Sequence, residues 1–289
     1  MLKKIRQINF SEKLSLFKAF KEKYRLPFFI SKVIFSCLVI FYVVTLIDWQ
    51  KLVYIFYKIN VGYFFVALLV TFLVSLIYNL RYLVILRKKG IGISFLNLYL
   101  INRFSNLVNF ILPGGLGQET GRLIYISDKK VALATSIYDR LLGLLSIVLV
   151  LLVSALLIKI RVLYLIIIAL VFIGVLLVNL YLMKIWKLNF FLPFILSVVY
   201  SIGLVLISFI EFKTVGYNIS LLRLLFFASL VHLALMVPVS VNGYGLREYL
   251  WFIFLGVSIE FVVVYSLIGY IIGFILSLPG LVTIFKKKW

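Results

Sequence analysis

Six stretches of this chain, approximately 28–47, 61–80, 131–158, 162–183, 190–212 and 261–285, are built almost wholly of Leu, Ile, Val, Phe, Ala and Tyr. A helix of about 20 such residues, rising 1.5 Å per residue, is long enough to span the ~30 Å hydrocarbon core of a bilayer. A soluble fold burying six such helices would need amphipathic segments to cover them, and none remain. The chain is 65% hydrophobic and 13% charged, whereas soluble domains run nearer half and a quarter. The expected fold class is therefore all-α: a polytopic transmembrane helical protein.

Charge sets the expected orientation. The 30 Lys and Arg outnumber the 9 Asp and Glu, for a formal net charge of +21. Nucleic acid is not the expected partner, because the basic residues cluster beside apolar blocks, as on cytoplasmic membrane flanks. A membrane surface or an anionic lipid fits better. The first 27 residues carry eight Lys and Arg, and Arg81–Lys89 and Lys286–Lys288 are basic, whereas the loop 48–60 holds only Lys51, Lys58 and Asp48. Both termini are expected to be cytoplasmic. Residues 1–27 are read as a basic cytoplasmic or interfacial segment, and 28–289 as one transmembrane domain. Cys37 is the sole cysteine and His232 the sole histidine. No disulfide within the chain, metal site or cofactor is expected, and His232 is expected to pack between helices rather than relay protons.

Two further apolar regions are interrupted. Region 95–128 holds Asn102, Arg103, Asn106, Asn109, Pro113, Gly114, Gly115 and Gly117; region 221–258 holds Arg223, His232, Pro238, Asn242 and three glycines. The stretch 246–258 is short for a span, and 95–112 is too polar to face lipid. Broken or re-entrant hairpins are favoured over proline-kinked full spans, giving about six full spans plus two hairpins. The halves, about 28–158 and 162–285, then have the same order and inverted topology, with the tips at Pro113 and Pro238 approaching near the midplane. Paired broken helices in corresponding positions mark the substrate site in many secondary transporters.

Four of the nine acidic residues, Glu119, Asp139, Glu211 and Glu248, lie in or beside apolar segments, accompanied by Arg122, Arg140, Arg223 and Arg247. A charge at the centre of a spanning helix costs ~3 kcal/mol or more, so it should pair or face a cavity. Adjacent helix positions diverge, so pairing is expected between segments rather than within "DR" or "RE". Glu211 and Arg223 flank a predicted external loop and are expected at the interface. The others suit a polar cavity whose surplus arginine and glycine-rich turns fit an anion: guanidinium matches phosphate oxygens, and glycine admits close backbone approach. "GLGQETG" at 115–121 follows no strand and lacks a following Gly-Lys-Ser/Thr, so no nucleotide loop is read there.

The stretches "LPGGLGQETGR…SDKKVALATSIYDRLLGL" and "VPVSVNGYGLREYLWFIFLGV" resemble paired blocks of the lysylphosphatidylglycerol synthase transmembrane region family, also called the flippase-like domain. The likeness is read across nearly the whole chain. Glu119, Arg122, Asp139, Arg140, Gly243, Gly245, Arg247 and Glu248 match the motif, with Asp139 where the family usually shows Glu. With Asn242 they form the expected substrate-binding set. The resemblance implies a bacterial or archaeal inner-membrane protein that moves lipid between leaflets. Aminoacyl transfer in such proteins resides in a separate cytosolic domain, which these residues do not include, so lysyltransferase activity is not expected.

The leading expectation is a translocator of an anionic phospholipid or lipid-linked phosphate, and not an enzyme. A membrane transferase acting on a lipid phosphate is the second reading, with Asp139 or Glu248 as base. A non-catalytic lipid-binding subunit of an envelope glycan or lipid pathway, with a biosynthetic partner protein, is the third.

Overall fold

The computed structural model describes residues 31, 34–111, 116–126, 128–236 and 243–285, with the side chains of these apart from 111, 116–120 and 284–285. Regular structure in them is entirely helical. The order is α1 (Ile34–Thr45), α2 (Trp49–Tyr57), α3 (Val61–Lys88), α4 (Phe95–Ile111), α5 (Leu116–Tyr125), α6 (Lys129–Ile158), α7 (Val162–Trp186), α8 (Phe191–Thr214), α9 (Leu221–Met236), α10 (Leu246–Leu255) and α11 (Ile259–Ser277), then a 3-10 segment, Leu278–Phe285. Among the described residues, five helical stretches are long and apolar enough to cross a membrane, six if the bent pair α1–α2 is one span. The protein is a multi-pass helical membrane protein.

The order long helix, hairpin, long helix occurs twice, as α3–(α4–α5)–α6 and α8–(α9–α10)–α11. Helices α3 and α8 pack most extensively on each other. Both interrupted regions double back. Phe104 meets Tyr125 with ring centroids 5.7 Å apart, and Gly121 sits so close to Ser105 that a Cβ would overlap that side chain. Phe227 likewise stacks on Phe254 at 6.0 Å. At ten residues each, α5 and α10 are about 15 Å long, half a hydrocarbon core. They are hairpin arms, not spans.

Burial separates the lipid-facing helices from the interior ones. Helix α7 buries only Asn179, whose Nδ2 donates to the Leu141 carbonyl at 3.2 Å. Helix α6, in contrast, buries residues along most of its length, including Ser136, Asp139, Ser146 and Ser154. Its start is fixed by Asp128, whose carboxylate accepts from the Lys130 and Val131 backbone N–H groups, leaving fewer unpaired donors at that helix end.

The structure corrects four expectations. The loop 48–60 is mostly helix: Asp48 caps α2 by accepting from the Gln50 and Lys51 N–H groups, and α2 turns 88° from α1. The basic flank at Arg81–Lys89 does not begin at Arg81. Helix α3 runs on to Lys88, and Arg81 is 3% exposed inside the bundle. Glu211 is not interfacial but 5% exposed, because the face of α8 that carries it turns towards α11. The last span does not continue as α-helix to 285: it tightens to a 3-10 turn at Leu278, where Pro279 supplies no N–H for an α-type bond. There Gly280 rests on the α4 backbone, and a Cβ would collide with Arg103 and Phe104.

The N-terminal segment 1–27, the tips at Pro113, Gly114, Gly115 and Pro238, residue Asn242, and Lys286–Lys288 lie outside the described residues. Gly117 and Glu119 fall on α5, with the Glu119 side chain outside the described set.

Candidate functional site

The first hairpin carries Arg122 into the bundle at 2% exposure. Its Nη1 and Nη2 each lie 3.3 Å from Asp139 Oδ2 on α6. Nε donates to Asn102 Oδ1 at 3.2 Å, and Nη2 to the Tyr78 hydroxyl at 2.6 Å. The other Asp139 oxygen accepts from Arg81 Nε at 2.7 Å. Arg81 Nη1 continues to Ser197 Oγ on α8 at 3.2 Å. Asn102 extends the chain to Asn79 Oδ1 at 2.6 Å. One carboxylate thus stands between two guanidinium groups, with Tyr82 3.5 Å beneath Arg122. Charges so far from water persist only when paired and hydrogen-bonded. Most of Arg122's donors are engaged, and the network ties α5 to α3, α4 and α6.

The second hairpin carries Arg247 and Glu248. Arg247 Nη2 donates to the Ser266 carbonyl at 2.8 Å, and Nε to Ser266 Oγ at 3.3 Å. Its Nε lies 3.8 Å from Glu248 Oε1, which accepts from the Tyr270 hydroxyl at 3.2 Å. Arg247 and Glu211 converge on Gly269, where a Cβ would stand 3.3 Å from Arg247 Nη2 and 3.1 Å from Glu211 Oε1. One guanidinium here faces two carboxyl groups. The "RE" pair does meet within its dipeptide, whereas in "DR" at 139–140 the buried Asp139 is held by Arg81 and Arg122 and Arg140 is exposed.

Gly243 and Gly245 have φ of +80° and +76°, conformations that disfavour a side chain. Gly245 begins α10 against Ile40 of α1, with the Ile40 nitrogen 3.1 Å from where a Cβ would be.

Two polar cavities lie beside these clusters. One, of about 240 Å³, opens between α3, α4, α8 and α11 and is lined by Ser75, Asn79, Asn102, Arg103 and Asn106, among others. The second, of about 220 Å³, is lined by Arg81, Asp139, Arg140, Ser201 and His232 with apolar neighbours. Tyr78, Tyr200 and Leu204 line both, the two tyrosine ring centroids lying 5.3 Å apart, so the three side chains stand between the cavities. His232 faces the second cavity rather than only packing, and its Nε2 has no hydrogen-bond partner.

Residues 29–192 match the family described as the lysylphosphatidylglycerol synthase TM region. That is more than half of the chain. The chain belongs to this family. The matched part includes the first hairpin and the Arg81–Asp139–Arg122 network; it stops at the start of α8, short of the second block at 237–257. The family and the helical fold together make this a lipid-related membrane protein. No curated protein and no solved structure compared with the chain matches it.

Of the residues expected at the site, the structure brings together Arg122 with Asp139, and Arg247 with Glu248. Arg140 lines the second cavity together with Asp139. Sequence reading missed Arg81, Asn79, Tyr78 and Tyr200. Their signal was position: polar residues at 75, 78, 79, 81 and 82 fall on one side of a continuous helix, but only if α3 is known to run on past residue 80.

Proposed function

We propose that the protein carries lipid head groups across the membrane interior, with no bond made or broken. The observation that supports this most directly is the pair of cavities, each with charged and polar residues in its lining, at the middle of the longest helices, with Tyr78, Tyr200 and Leu204 between them. Residues 71–79 of α3, which line the first cavity, lie near the midpoint of a 28-residue helix, where lipid offers nothing to satisfy polar groups. A head group would occupy one cavity, pass the tyrosines as the repeated halves rock, and leave from the other, while its tails stay in lipid. Both termini would face the cytoplasm of a bacterial or archaeal cell.

The test is leaflet exchange in reconstituted vesicles. Phosphatidylglycerol bearing a fluorophore is monitored by reduction of the label accessible from outside. Wild-type protein should raise exchange well above protein-free vesicles. A rate equal to that of empty vesicles would remove the transport reading.

A further inference from the structure

Arg103 differs from the other buried arginines. Arg81 and Arg122 both contact Asp139, and Arg247 lies beside Glu248. Arg103 is 4% exposed, and its Nε and Nη2 have no hydrogen-bond partner. The guanidinium lies 4.7 Å from the Tyr99 ring, and among the described residues no carboxylate pairs with it. A buried unpaired guanidinium is costly, and its planar fork suits two oxygens of one phosphate. The position is fixed by packing. Gly280 of the 3-10 segment lies against the backbone of Arg103 and Phe104, so closely that no Cβ fits between.

The rest of the cavity defines the ligand further. Ser75, Asn79, Asn102 and Asn106 line it with Arg103, offering amide and hydroxyl groups that suit hydroxyls or ester oxygens. Among its described lining residues there is no Asp or Glu. A head group bearing an ammonium would find no counter-charge among these residues and would meet Arg103 as a like charge.

We infer that the cavity between α3, α4, α8 and α11 is a phosphate site in which Arg103 takes the phosphate oxygens and the asparagines take neutral hydroxyls, selecting net-negative head groups over aminoacylated ones. The inference rests on the head-group transport reading for how a lipid reaches the cavity. The affinity itself is measurable without transport.

The full chain in micelles is titrated with phosphatidylglycerol, phosphatidylcholine, lysyl-phosphatidylglycerol and soluble glycerol 3-phosphate, and bound lipid is read by native mass spectrometry. Phosphatidylglycerol should be preferred over the two ammonium-bearing lipids by about tenfold, the scale of one charge-assisted hydrogen bond. Arg103→Gln should abolish the preference without lowering Tm, since no ion pair is broken, and Arg103→Lys should retain part of it. Asn106→Asp, which places a carboxylate in the cavity, should shift the preference towards lysyl-phosphatidylglycerol. An unchanged preference in Arg103→Gln, or equal binding of lysyl-phosphatidylglycerol by the wild type, overturns the inference. Equal binding of glycerol 3-phosphate and phosphatidylglycerol would assign the site to a soluble phosphate and overturn the lipid head group as its ligand. Loss of leaflet exchange with the binding preference intact would instead discard the transport reading and leave the site standing.

Discussion

The two hairpins place an arginine at equivalent points in the repeat, Arg122 on α5 and Arg247 on α10, yet their surroundings are opposite in charge. Arg122 shares one carboxylate with Arg81. Arg247 faces two carboxyl groups, Glu211 and Glu248. The first network spans several helices through side chains exposed by only 2–3%. The second relies partly on a neighbour in the same helix at 3.8 Å and a backbone carbonyl, and its arginine side chain is 20% exposed. The first is built as a fastening between helices; the second is looser and holds surplus acid. A repeated architecture has thus been given two different electrostatic centres.

The largest expected effect lies in the first centre. Asp139→Asn keeps the shape but leaves Arg81 and Arg122 without a counter-charge. Breaking a buried pair in this way costs about 3–5 kcal/mol. Denaturant unfolding in micelles should show that loss, and a loss below that of the second-centre variants would erase the distinction. Arg247→Gln should cost less, about 1–3 kcal/mol, because an amide can still donate to Ser266 while Glu248 keeps Tyr270. Tyr270→Phe removes one hydrogen bond to Glu248 and should cost about 0.5–1.5 kcal/mol. The smallest effect is expected outside both centres. The Lys51–Glu260 pair spans 3.1 Å with the lysine 44% exposed, and Lys51→Ala should change stability by about 1 kcal/mol or less. Should Lys51→Ala equal Asp139→Asn, burial would not be what ranks these ion pairs.

Much of this plan was legible in the sequence. The apolar blocks, the two interrupted regions and the expectation that the charge of "DR" would pair with another segment, as Asp139 does with Arg122, all followed from hydropathy and the cost of buried charge. Arg81 was misread because a basic cluster at a helix end resembles a membrane flank; only the continuation of α3 to Lys88 puts that residue inside. Arg103 was visible as a polar interruption, but that no carboxylate among the described residues pairs with it is a property of three dimensions. Glu211 was placed at a surface by its nearness to a loop, whereas the rotation of α8 turns it inward.

Sequence by itself determined the solvent: apolar segments of this length are stable in lipid, and proline with glycine must break two of them, whatever the tertiary arrangement. Which charges meet was decided only by the tertiary structure. Helix rotation and hairpin register bring Asp139 between two arginines and, among the described residues, leave Arg103 without a carboxylate, because a shift of one residue, about 100° around a helix, changes every electrostatic partner while leaving hydropathy untouched.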